Sequence, residues 1–490
     1  MFEKVRENII NKVRSFLQIY PANGQSFTIN ELLDFDSNVA VNKVWYRGES
    51  YELSQLYEQL DDNKFGFWGS VPTAGMEIRK IHTGLPKTII NTLAGVVVDD
   101  MQDVAFDSEA NKSLWTDIAT ENTFDTLVKG AVSKALYTGD GAFKISIDTD
   151  ISQLPIVEFF EADRINVVRK RGRITEIIFK TAYSHNGSSY YLLEHYGKGY
   201  IKYELRNKQN KPVELDAIPA TTGLADVEWD GDFMMAEYVS FYTSDKWEGR
   251  GQSIFDAKRD NFDALDESWS QWMDALRAGR TKLYIPENLI PRDNNTGALM
   301  KPNSFDNRFI KMASAVTEND NGRIDSESAP IQHESYLSTY VTALDLCLQG
   351  IISPSTLGID MKKLDNAEAQ REKEKATLYT RQTIVAELQR VLPALIQGIF
   401  YAYQTLNKLP LEAVECDVTF GEYANPSFES QVETVGKAKT QGIMSIEASV
   451  DELYGDSRDD EWKKEEVARL KAEQGIVDMT EPALNTDILT

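Results

Sequence analysis

Two segments with helical periodicity enclose a short insert, and this order restricts the fold more than any other feature of the sequence. In residues 254–278, apolar side chains recur along one helical face: Phe255, Phe262, Leu265, Trp269, Trp272, Met273 and Leu276. A second helix is predicted over 334–350, with one side formed by Tyr336, Tyr340, Val341, Leu344 and Leu348. Residues 280–332 are rich in Pro, Asn and Asp, which favours short strands and loops. The order therefore predicts a helical hairpin that carries a small β-rich domain.

A loop and a long helix follow this hairpin. Residues 353–366 predict an ordered loop, and residues 367–406 predict one helix that is charged at first and then apolar. Pro393 lies inside that helix, where it removes a hydrogen bond and is expected to produce a kink. The C-terminal part predicts helices over 428–473 with a break near Gly442.

The chain before the hairpin combines both types of secondary structure. Helices are predicted over 1–20, from Asn30 onwards, over 51–60, over 78–101 with Pro86 near the start, and over 124–135. Alternating apolar residues and short turns predict strands over 142–147, 156–160, 174–180, 190–195 and 199–205, with a late strand over 413–421. The predicted fold class is α+β.

The composition indicates a folded chain of several domains. At 490 residues, about three domain-sized units are expected, and 42% hydrophobic residues can form a core. Two cysteines, Cys347 and Cys416, are too few for a disulfide framework and predict reduced thiols. A charged N-terminal segment without a long apolar run predicts no signal peptide. No stretch approaches the roughly 20 apolar residues of a membrane helix, so no membrane association is expected.

The net charge of −25 limits the kinds of nucleic-acid contact that the protein can make. A sequence-reading DNA-binding protein relies on a basic surface, because contacts to phosphates supply much of its affinity. An acidic chain argues against that class. It is compatible with a channel whose negative walls let DNA slide without adhering. Most acidic proteins have no such role, so the charge alone does not decide between functions.

Catalytic motifs are missing from the sequence. No phosphate-binding loop occurs, and Gly436-Lys437 is followed by Ala438 rather than Ser or Thr. His333-Glu334 begins like a zinc-protease helix, but position 337 is leucine, so the second metal ligand is absent. The other histidines are expected to be structural or at the surface: His82, His185 and His195. We therefore expect no enzyme, no catalytic residue, no cofactor and no metal.

Several stretches, in one order along the chain, resemble portal proteins of tailed phages that infect Gram-positive bacteria. Each is short, and only the ordered set is informative. They are Trp45-Tyr46-Arg47-Gly48, Leu136 to Ile145 (LYTGDGAFKI), Gly251-Gln252-Ser253-Ile254-Phe255, Lys282 to Pro286 (KLYIP), Ser353-Pro354-Ser355-Thr356-Leu357-Gly358 and Lys439 to Ser445 (KTQGIMS). The order helix, insert, helix, loop and kinked helix adds to this resemblance.

The resemblance implies a portal-like fold and a place at one capsid vertex. Its parts would be a β-rich and helical wing (1–253 and 367–424), a helical stem (254–279 and 334–352), a small β-rich clip (280–333), a tunnel loop (353–366), an α-helical crown (425–475) and a flexible tail (476–490). It implies a homo-oligomeric ring, usually of twelve subunits, that conducts double-stranded DNA without reading its sequence. The implied partners are the large terminase, a head–tail adaptor, and the major capsid and scaffolding proteins. The protein would belong to the virion and occupy the host cytoplasm during assembly.

Three sets of residues are expected to carry these roles. The tunnel-loop set is Ser353, Thr356, Asp360, Lys362, Lys363 and Asn366. The subunit-interface set on the stem is Phe262, Leu265, Trp269, Trp272, Met273, Tyr340 and Leu344. The partner-facing set on the clip is Arg292, Lys301, Arg308 and Lys311. For each set an ordinary alternative stays open, because apolar stripes often pack within one chain and loop lysines are often only solvated.

A second hypothesis is another phage structural or interaction protein, such as a baseplate or capsid-associated scaffold without a DNA channel. It would use the same combination of a β-rich core and helical arms. Only the portal hypothesis requires a closed ring with a central bore.

Overall fold

The computed structural model describes residues 33–60, 66–71, 78–279, 282–286, 292, 296–297, 309–312, 325–327, 332–359, 367–421, 428–454 and 460–473. Its contacts divide the chain into two compact units. The larger unit comprises Met1–Gly95 and Ala105–Asp417, and the smaller comprises Val96–Val104 and Val418–Thr490. The helix predicted over 1–20 and the tail over 476–490 lie outside the described residues.

Among the described residues up to Thr138, five helices largely follow the predicted pattern. They are α1 (Phe35–Arg47), α2 (Ser50–Gln59), α3 (Leu85–Val98), α4 (Glu109–Glu121) and α5 (Phe124–Thr138). The helix expected from Asn30 begins instead at Phe35, because the Asp34 carboxylate accepts a hydrogen bond from the Ser37 N–H at 2.7 Å and caps the helix there. Helix α4 was not predicted, although its buried residues Trp115 and Ile118 have helical spacing.

Strands occupy most of the chain between α5 and the hairpin. Their bounds are β1 (Ala105–Phe106), β2 (Gly141–Ser146), β3 (Ile156–Glu161), β4 (Ile165–Lys170), β5 (Arg173–His185), β6 (Ser188–Gly197), β7 (Tyr200–Asn207), β8 (Pro212–Val213), β9 (Val227–Glu228) and β10 (Ala236–Val239). One sheet has the order β10-β2-β3, and a larger antiparallel sheet has the order β4-β5-β6-β7-β8, with β9 paired to β7. Phe179 and Tyr196 meet edge to face at 5.1 Å in its buried part. This arrangement confirms the α+β prediction.

The helical hairpin and its insert follow these sheets. They comprise α6 (Arg259–Ala278), β11 (Lys282–Pro286), β12 (Phe309–Met312), β13 (Asp325–Glu327) and α7 (His333–Leu348). The insert strands form a sheet in the order β12-β11-β13, in which β12 is parallel and β13 antiparallel to β11. The β-rich insert predicted between two helices is therefore present.

The long helix α8 spans Ala367–Leu406 and continues through Pro393. Contrary to the expectation of no such stretch, its part Lys375–Leu406 is long and apolar enough to cross a membrane by length and composition, although more than half of its most apolar stretch is buried inside the protein. Its buried apolar residues include Ile384, Leu388, Val391, Leu392, Leu395, Ile396, Ile399 and Phe400. Because α8 packs against β2 and β10, we interpret this apolar stretch as a core helix.

The predicted strand over 413–421 is much shorter than expected. Only β14 (Cys416–Asp417) is formed, and it pairs with β1. In the smaller unit, the Gln102 N–H donates to the Thr419 carbonyl oxygen at 2.9 Å, and the Gly421 N–H donates to the Asp100 carbonyl oxygen at 2.7 Å. These single bonds continue the pairing without a regular strand.

The described residues of the smaller unit after Gly421 include three helices: α9 (Phe428–Thr440), α10 (Ile446–Tyr454) and α11 (Asp460–Glu473). The first break lies near Gly442, as predicted, where glycine has the left-handed φ of 72°. A second break follows Tyr454, whose ring contacts that of Trp462 at 4.9 Å and so joins α10 to α11.

Candidate functional site: the helical hairpin and the loop after it

Aromatic side chains hold the two helices of the hairpin together. Trp269 of α6 lies 5.5 Å from the ring of Tyr340 of α7. Trp272, one turn further along α6, is parallel to Tyr336 with ring centroids 6.5 Å apart. Because both tryptophans contact α7, the hairpin predicted from the apolar stripe is confirmed at its helix–helix contact.

Helix α6 begins five residues later than predicted because a turn precedes it. The Asp256 carboxylate accepts a hydrogen bond from the Ser253 N–H at 3.1 Å, and the Ser253 hydroxyl accepts one from the Phe255 N–H at 3.1 Å. These local bonds compete with helical ones, which delays the helix to Arg259.

A fully buried carboxylate connects α6 to the segment before α3. Asp266 accepts hydrogen bonds from the Trp68 indole N–H at 3.1 Å and from the Thr83 N–H and hydroxyl at 2.9 Å each. Nδ1 of His82 lies 2.7 Å from the same carboxylate. Such a carboxylate is tolerable only because its lone pairs are satisfied, so this group ties α6 to a fixed position.

Neighbouring polar residues of α6 extend the same attachment. Asp263 accepts hydrogen bonds from the N–H groups of Phe67 at 2.7 Å and Trp68 at 3.1 Å, and burial raises its pKa. Arg259 contacts Asn38 and Asn42 of α1 through their side-chain oxygens. The inner end of the hairpin is thus bound by hydrogen bonds to the N-terminal part of the larger unit.

The stem residues predicted from sequence separate into two groups. Phe262, Leu265 and Leu344 are 1%, 0% and 5% exposed, so the subunit's own core encloses them and they offer no surface to a neighbour. Phe262 contacts Trp45 and Phe255 there. The remaining members keep accessible surface: Trp269, Trp272, Met273 and Tyr340. The subunit interface therefore remains a prediction for this second group alone.

Three leucines on the hairpin are exposed, and only Leu276 of them belongs to a predicted apolar stripe. Leu276, Leu337 and Leu346 are 41%, 49% and 46% exposed. Leu337 and Leu346 lie outside the periodic stripe of α7. Apolar residues away from that stripe are the sequence signal that could have indicated an exposed apolar surface. Every residue from Gln271 to Ala278 also keeps part of its surface accessible, so the outer half of α6 is only partly covered by its own chain.

The start of the predicted tunnel loop is anchored on α8. The Ser353 N–H donates to the Thr377 hydroxyl at 2.8 Å, and the Thr380 hydroxyl donates to the Ile351 carbonyl oxygen at 2.7 Å. Ser353 is buried, and Thr356 lies within 3.1 Å of Thr377 through their hydroxyls. Both predicted residues thus act as anchors of the loop. The other members of the set lie outside the described residues: Asp360, Lys362, Lys363 and Asn366.

Little of the predicted partner-facing set on the insert is described. Arg292 is exposed, and its guanidinium lies 3.5 Å from the Gly297 carbonyl oxygen. Lys311 belongs to β12, but its side chain is outside the described part, as are Lys301 and Arg308. The expectation for this set therefore remains a prediction.

Two of the short sequence stretches meet in space around Asp140. This carboxylate, fully buried, accepts hydrogen bonds from the Arg250 guanidinium at 2.8 and 2.9 Å, from the Gly251 N–H at 2.8 Å and from the Tyr238 hydroxyl at 2.8 Å. Any Cβ at Gly251 would collide with the carbonyl oxygen of Gly139. The close approach explains the glycines in both stretches and gives them a structural role.

The described residues offer no metal-binding group. Within the ranges that the structure describes, no group of three or more His, Cys, Asp or Glu side chains is placed to hold a metal ion. Both cysteines are free thiols; burial raises the pKa of Cys347 to about 12 and that of Cys416 to about 11. They are therefore protonated at neutral pH and poor nucleophiles.

The chain is similar to one family of known proteins and to several solved structures. A family model described as "Phage portal protein, SPP1 Gp6-like" matches residues 35–476. A search of curated proteins gives no match. Among similar solved structures, a chain of "Virion of native gene transfer agent (GTA) particle" has 12% identity and a TM-score of 0.39, covering 88% of this chain and 95% of that chain. A chain of "Neck of native GTA particle computed with C12 symmetry" has 11% identity and a TM-score of 0.39, covering 80% and 91%.

The family match includes the hairpin, the loop that follows it, α8 and the three C-terminal helices. It therefore covers the stretches on which the resemblance was based, and it favours the portal hypothesis over a baseplate or scaffold protein. Because the match extends over most of the sequence, the chain belongs to the family of phage portal proteins of the SPP1 Gp6-like type.

Proposed function

We propose that this protein assembles into a ring at one capsid vertex and that double-stranded DNA enters and leaves the capsid through its centre. The observation that carries the proposal is the family match over residues 35–476, which includes the whole hairpin. A portal is a structural component, so no catalytic role, cofactor or metal is proposed. The motor that drives packaging would be a separate terminase.

The hairpin is the proposed contact between neighbouring subunits. Its partly covered residues Trp269, Trp272, Met273 and Tyr340, together with exposed Leu276 and Leu337, would be covered by a second copy of this chain. Identical hairpins repeated around an axis give each subunit the same contact, which closes a ring without open ends. We propose twelve subunits.

The loop over 353–366 is proposed to face the DNA. Its anchored start, at Ser353 and Thr356, holds it against α8. Lys362 and Lys363, repeated in every subunit, would give many weak phosphate contacts, and Asp360 would weaken each one. A net charge of −25 per subunit suits a bore in which DNA moves rather than adheres.

The insert between α6 and α7 is proposed to dock the terminase and later the head–tail adaptor. Arg292, Lys301, Arg308 and Lys311 would meet acidic or polar surfaces of these partners. Other surfaces of the ring would contact the major capsid and scaffolding proteins. The protein would assemble in the host cytoplasm and remain in the virion.

Sedimentation of the purified chain tests the ring. The expected result is a single species of about twelve subunit masses at micromolar concentration, as for closed oligomers. A stable monomer under these conditions would refute the proposal. A loop variant lacking 359–366 separates the DNA role from assembly: rings should persist while packaged DNA decreases, and wild-type packaging would exclude the loop as a DNA contact.

A further inference from the structure

An arginine-lined cleft lies next to the turn between β4 and β5. Its volume is about 810 Å³, and four arginines line it: Arg169, Arg171, Arg250 and Arg390. In a chain of net charge −25, such a concentration of guanidinium groups is a local exception. The cleft belongs neither to the hairpin nor to the loop.

Two of the four arginines form ion pairs with carboxylates of the same subunit. Arg250 forms its ion pair with buried Asp140, and Arg390 pairs with Glu387 at 2.7 Å. Arg169 lies over the ring of Tyr238 at 5.1 Å and donates from Nε to the Gly249 carbonyl oxygen at 3.2 Å. These contacts hold three guanidinium groups in place around the cavity.

Arg171 differs from the other three arginines. It is exposed, and among the described residues no carboxylate pairs with it. Its terminal donors are therefore available to a group that enters the cleft. Arg169 donates from Nε to the Gly249 carbonyl oxygen and from a terminal nitrogen to the Gly172 carbonyl oxygen at 3.4 Å, and its remaining donors can share an incoming anion with Arg171.

The backbone at Arg171 has a conformation that arginine seldom adopts. Arg171 and Gly172 have φ angles of 52° and 77°, the left-handed region that a tight β-hairpin turn requires. Asn186 and Gly187 form the next turn with φ angles of 49° and 73°. Asn is favoured at such a position, whereas an arginine costs about 1 kcal/mol. Asn or Gly at position 171 would therefore suit this turn better than arginine.

The charges around the cleft indicate which anion fits. Glu248 and Glu387 line the same cavity, which keeps its net positive charge small. A duplex gains its affinity from many phosphate contacts along its length, which one small cleft of low net charge does not offer. Single carboxylates on a polypeptide can instead pair with the planar guanidinium groups of Arg169 and Arg171 one at a time.

We infer that the cleft binds an acidic segment of a second copy of this chain. This inference rests on the proposed ring, in which every subunit adjoins another of net charge −25. Like-charged subunits repel one another unless complementary charges meet at their contact. An arginine cleft on each subunit, occupied by carboxylates of its neighbour, supplies that complementarity.

Subunit exchange between preformed rings tests the inference. Arg171→Gly removes the cation and relieves the left-handed φ, so the subunit should unfold at an unchanged or higher temperature. Exchange of isotope-labelled subunits, followed by native mass spectrometry, should nevertheless become about fivefold faster at low salt. The difference should vanish near 1 M salt, where the screening length is about 3 Å.

Lys408→Gly is the matched control. Lys408 is another exposed cation with a left-handed φ, 57°, and it does not line the cleft. Its replacement should leave exchange unchanged. Arg171→Asn, which copies the neighbouring turn, repeats the test with a side chain suited to this backbone. If both Arg171 variants exchange subunits at the wild-type rate, the inference is overturned. If they do so and also bind duplex DNA more weakly than the wild type, the ligand of the cleft is DNA and not a second subunit.

A chemical coupling identifies the occupant. In rings mixed from ¹⁴N and ¹⁵N subunits, Arg171→Lys places an amine in the cleft that carbodiimide can join to an adjacent carboxylate. Coupling between differently labelled subunits supports the inference. Coupling only within one subunit, or none at position 171 in intact rings, refutes it while leaving the ring itself established. If wild-type chains form no rings, the proposed function fails first.

Discussion

The carboxylate of Asp266 lies 2.7 Å from Nδ1 of His82, and the side chains are 0% and 2% exposed. One residue belongs to α6 of the hairpin and the other to the segment before α3, 184 positions away in sequence. The contact joins the proposed stem to the wing within one subunit. It fixes the position of the hairpin within the subunit. Every subunit of a ring would then present its hairpin to its neighbour in the same way.

Loss of this carboxylate should destabilise the subunit. Asp266→Ala leaves the donors of His82, Trp68 and Thr83 buried without an acceptor. The free energy of unfolding should fall by about 3 kcal/mol, measured by denaturant titration. Asp260→Ala, an exposed carboxylate on the same helix, should change it by less than about 0.5 kcal/mol. Equal effects of the two changes would show that the buried network contributes no stability.

An exposed leucine of α7 should matter to the ring and not to the subunit. Leu337 is 49% exposed, so Leu337→Asp should change the stability of the separated subunit by about 0.5 kcal/mol or less. At a covered interface the unpaired carboxylate should raise the dissociation constant by about tenfold or more. Leu409→Asp is the control, because Leu409 is equally exposed outside the hairpin. Normal rings from Leu337→Asp would remove this face of α7 from the interface.

Glu237 should make stability depend on pH. Burial raises its pKa from 4.5 to about 7, a shift that Arg390 opposes and Glu387 supports. The folded state therefore binds the proton more tightly than the unfolded state, and the resulting stability is lost as pH rises from about 4.5 through 7. Between pH 5 and pH 8, the free energy of unfolding of the wild-type subunit, measured with denaturant, should fall by an amount on the order of 2 kcal/mol. Glu237→Gln should remove this fall. Glu228→Gln, at an exposed site, should leave the loss in place.

The loop lysines should affect DNA and leave assembly intact. Replacing Lys362 and Lys363 together by Ala removes two cations per subunit from the proposed bore. Rings should form normally, and the salt dependence of duplex retention should become less steep, because fewer counterions are released. The matched change at Lys208 and Lys211, exposed between β7 and β8, should have no effect. An unchanged salt dependence in the loop variant would contradict a phosphate contact.

Periodicity predicted the helices and strands of this fold better than it predicted which residues surround them. The stripe through Trp269 and Trp272 correctly indicated a helix with a partner, since a regular spacing identifies which side of a helix is apolar. It could not indicate whether the residues that pack against this side belong to the same chain or to a neighbouring subunit. Phe262 and Leu265 lie in the subunit core, whereas Trp272 remains partly accessible, and all three share one stripe.

Long-range polar contacts were beyond prediction from sequence. Asp266 lies in the helix predicted over 254–278, and its partners Trp68, His82 and Thr83 are brought to it only by tertiary structure. The turn at Arg171 and Gly172 lies between the strands predicted over 156–160 and 174–180. Its left-handed backbone, and so the cost of the arginine, became visible only with the φ angles.

Electron microscopy of the purified chain tests the central claim most directly. Averaged images should show a closed ring of about twelve subunits, in which every subunit contacts its neighbours in the same way through its hairpin. The loop over 353–366 should border the narrowest part of an open bore. Images of isolated subunits, or of closed particles without a bore wide enough for a duplex, would contradict the proposed portal function.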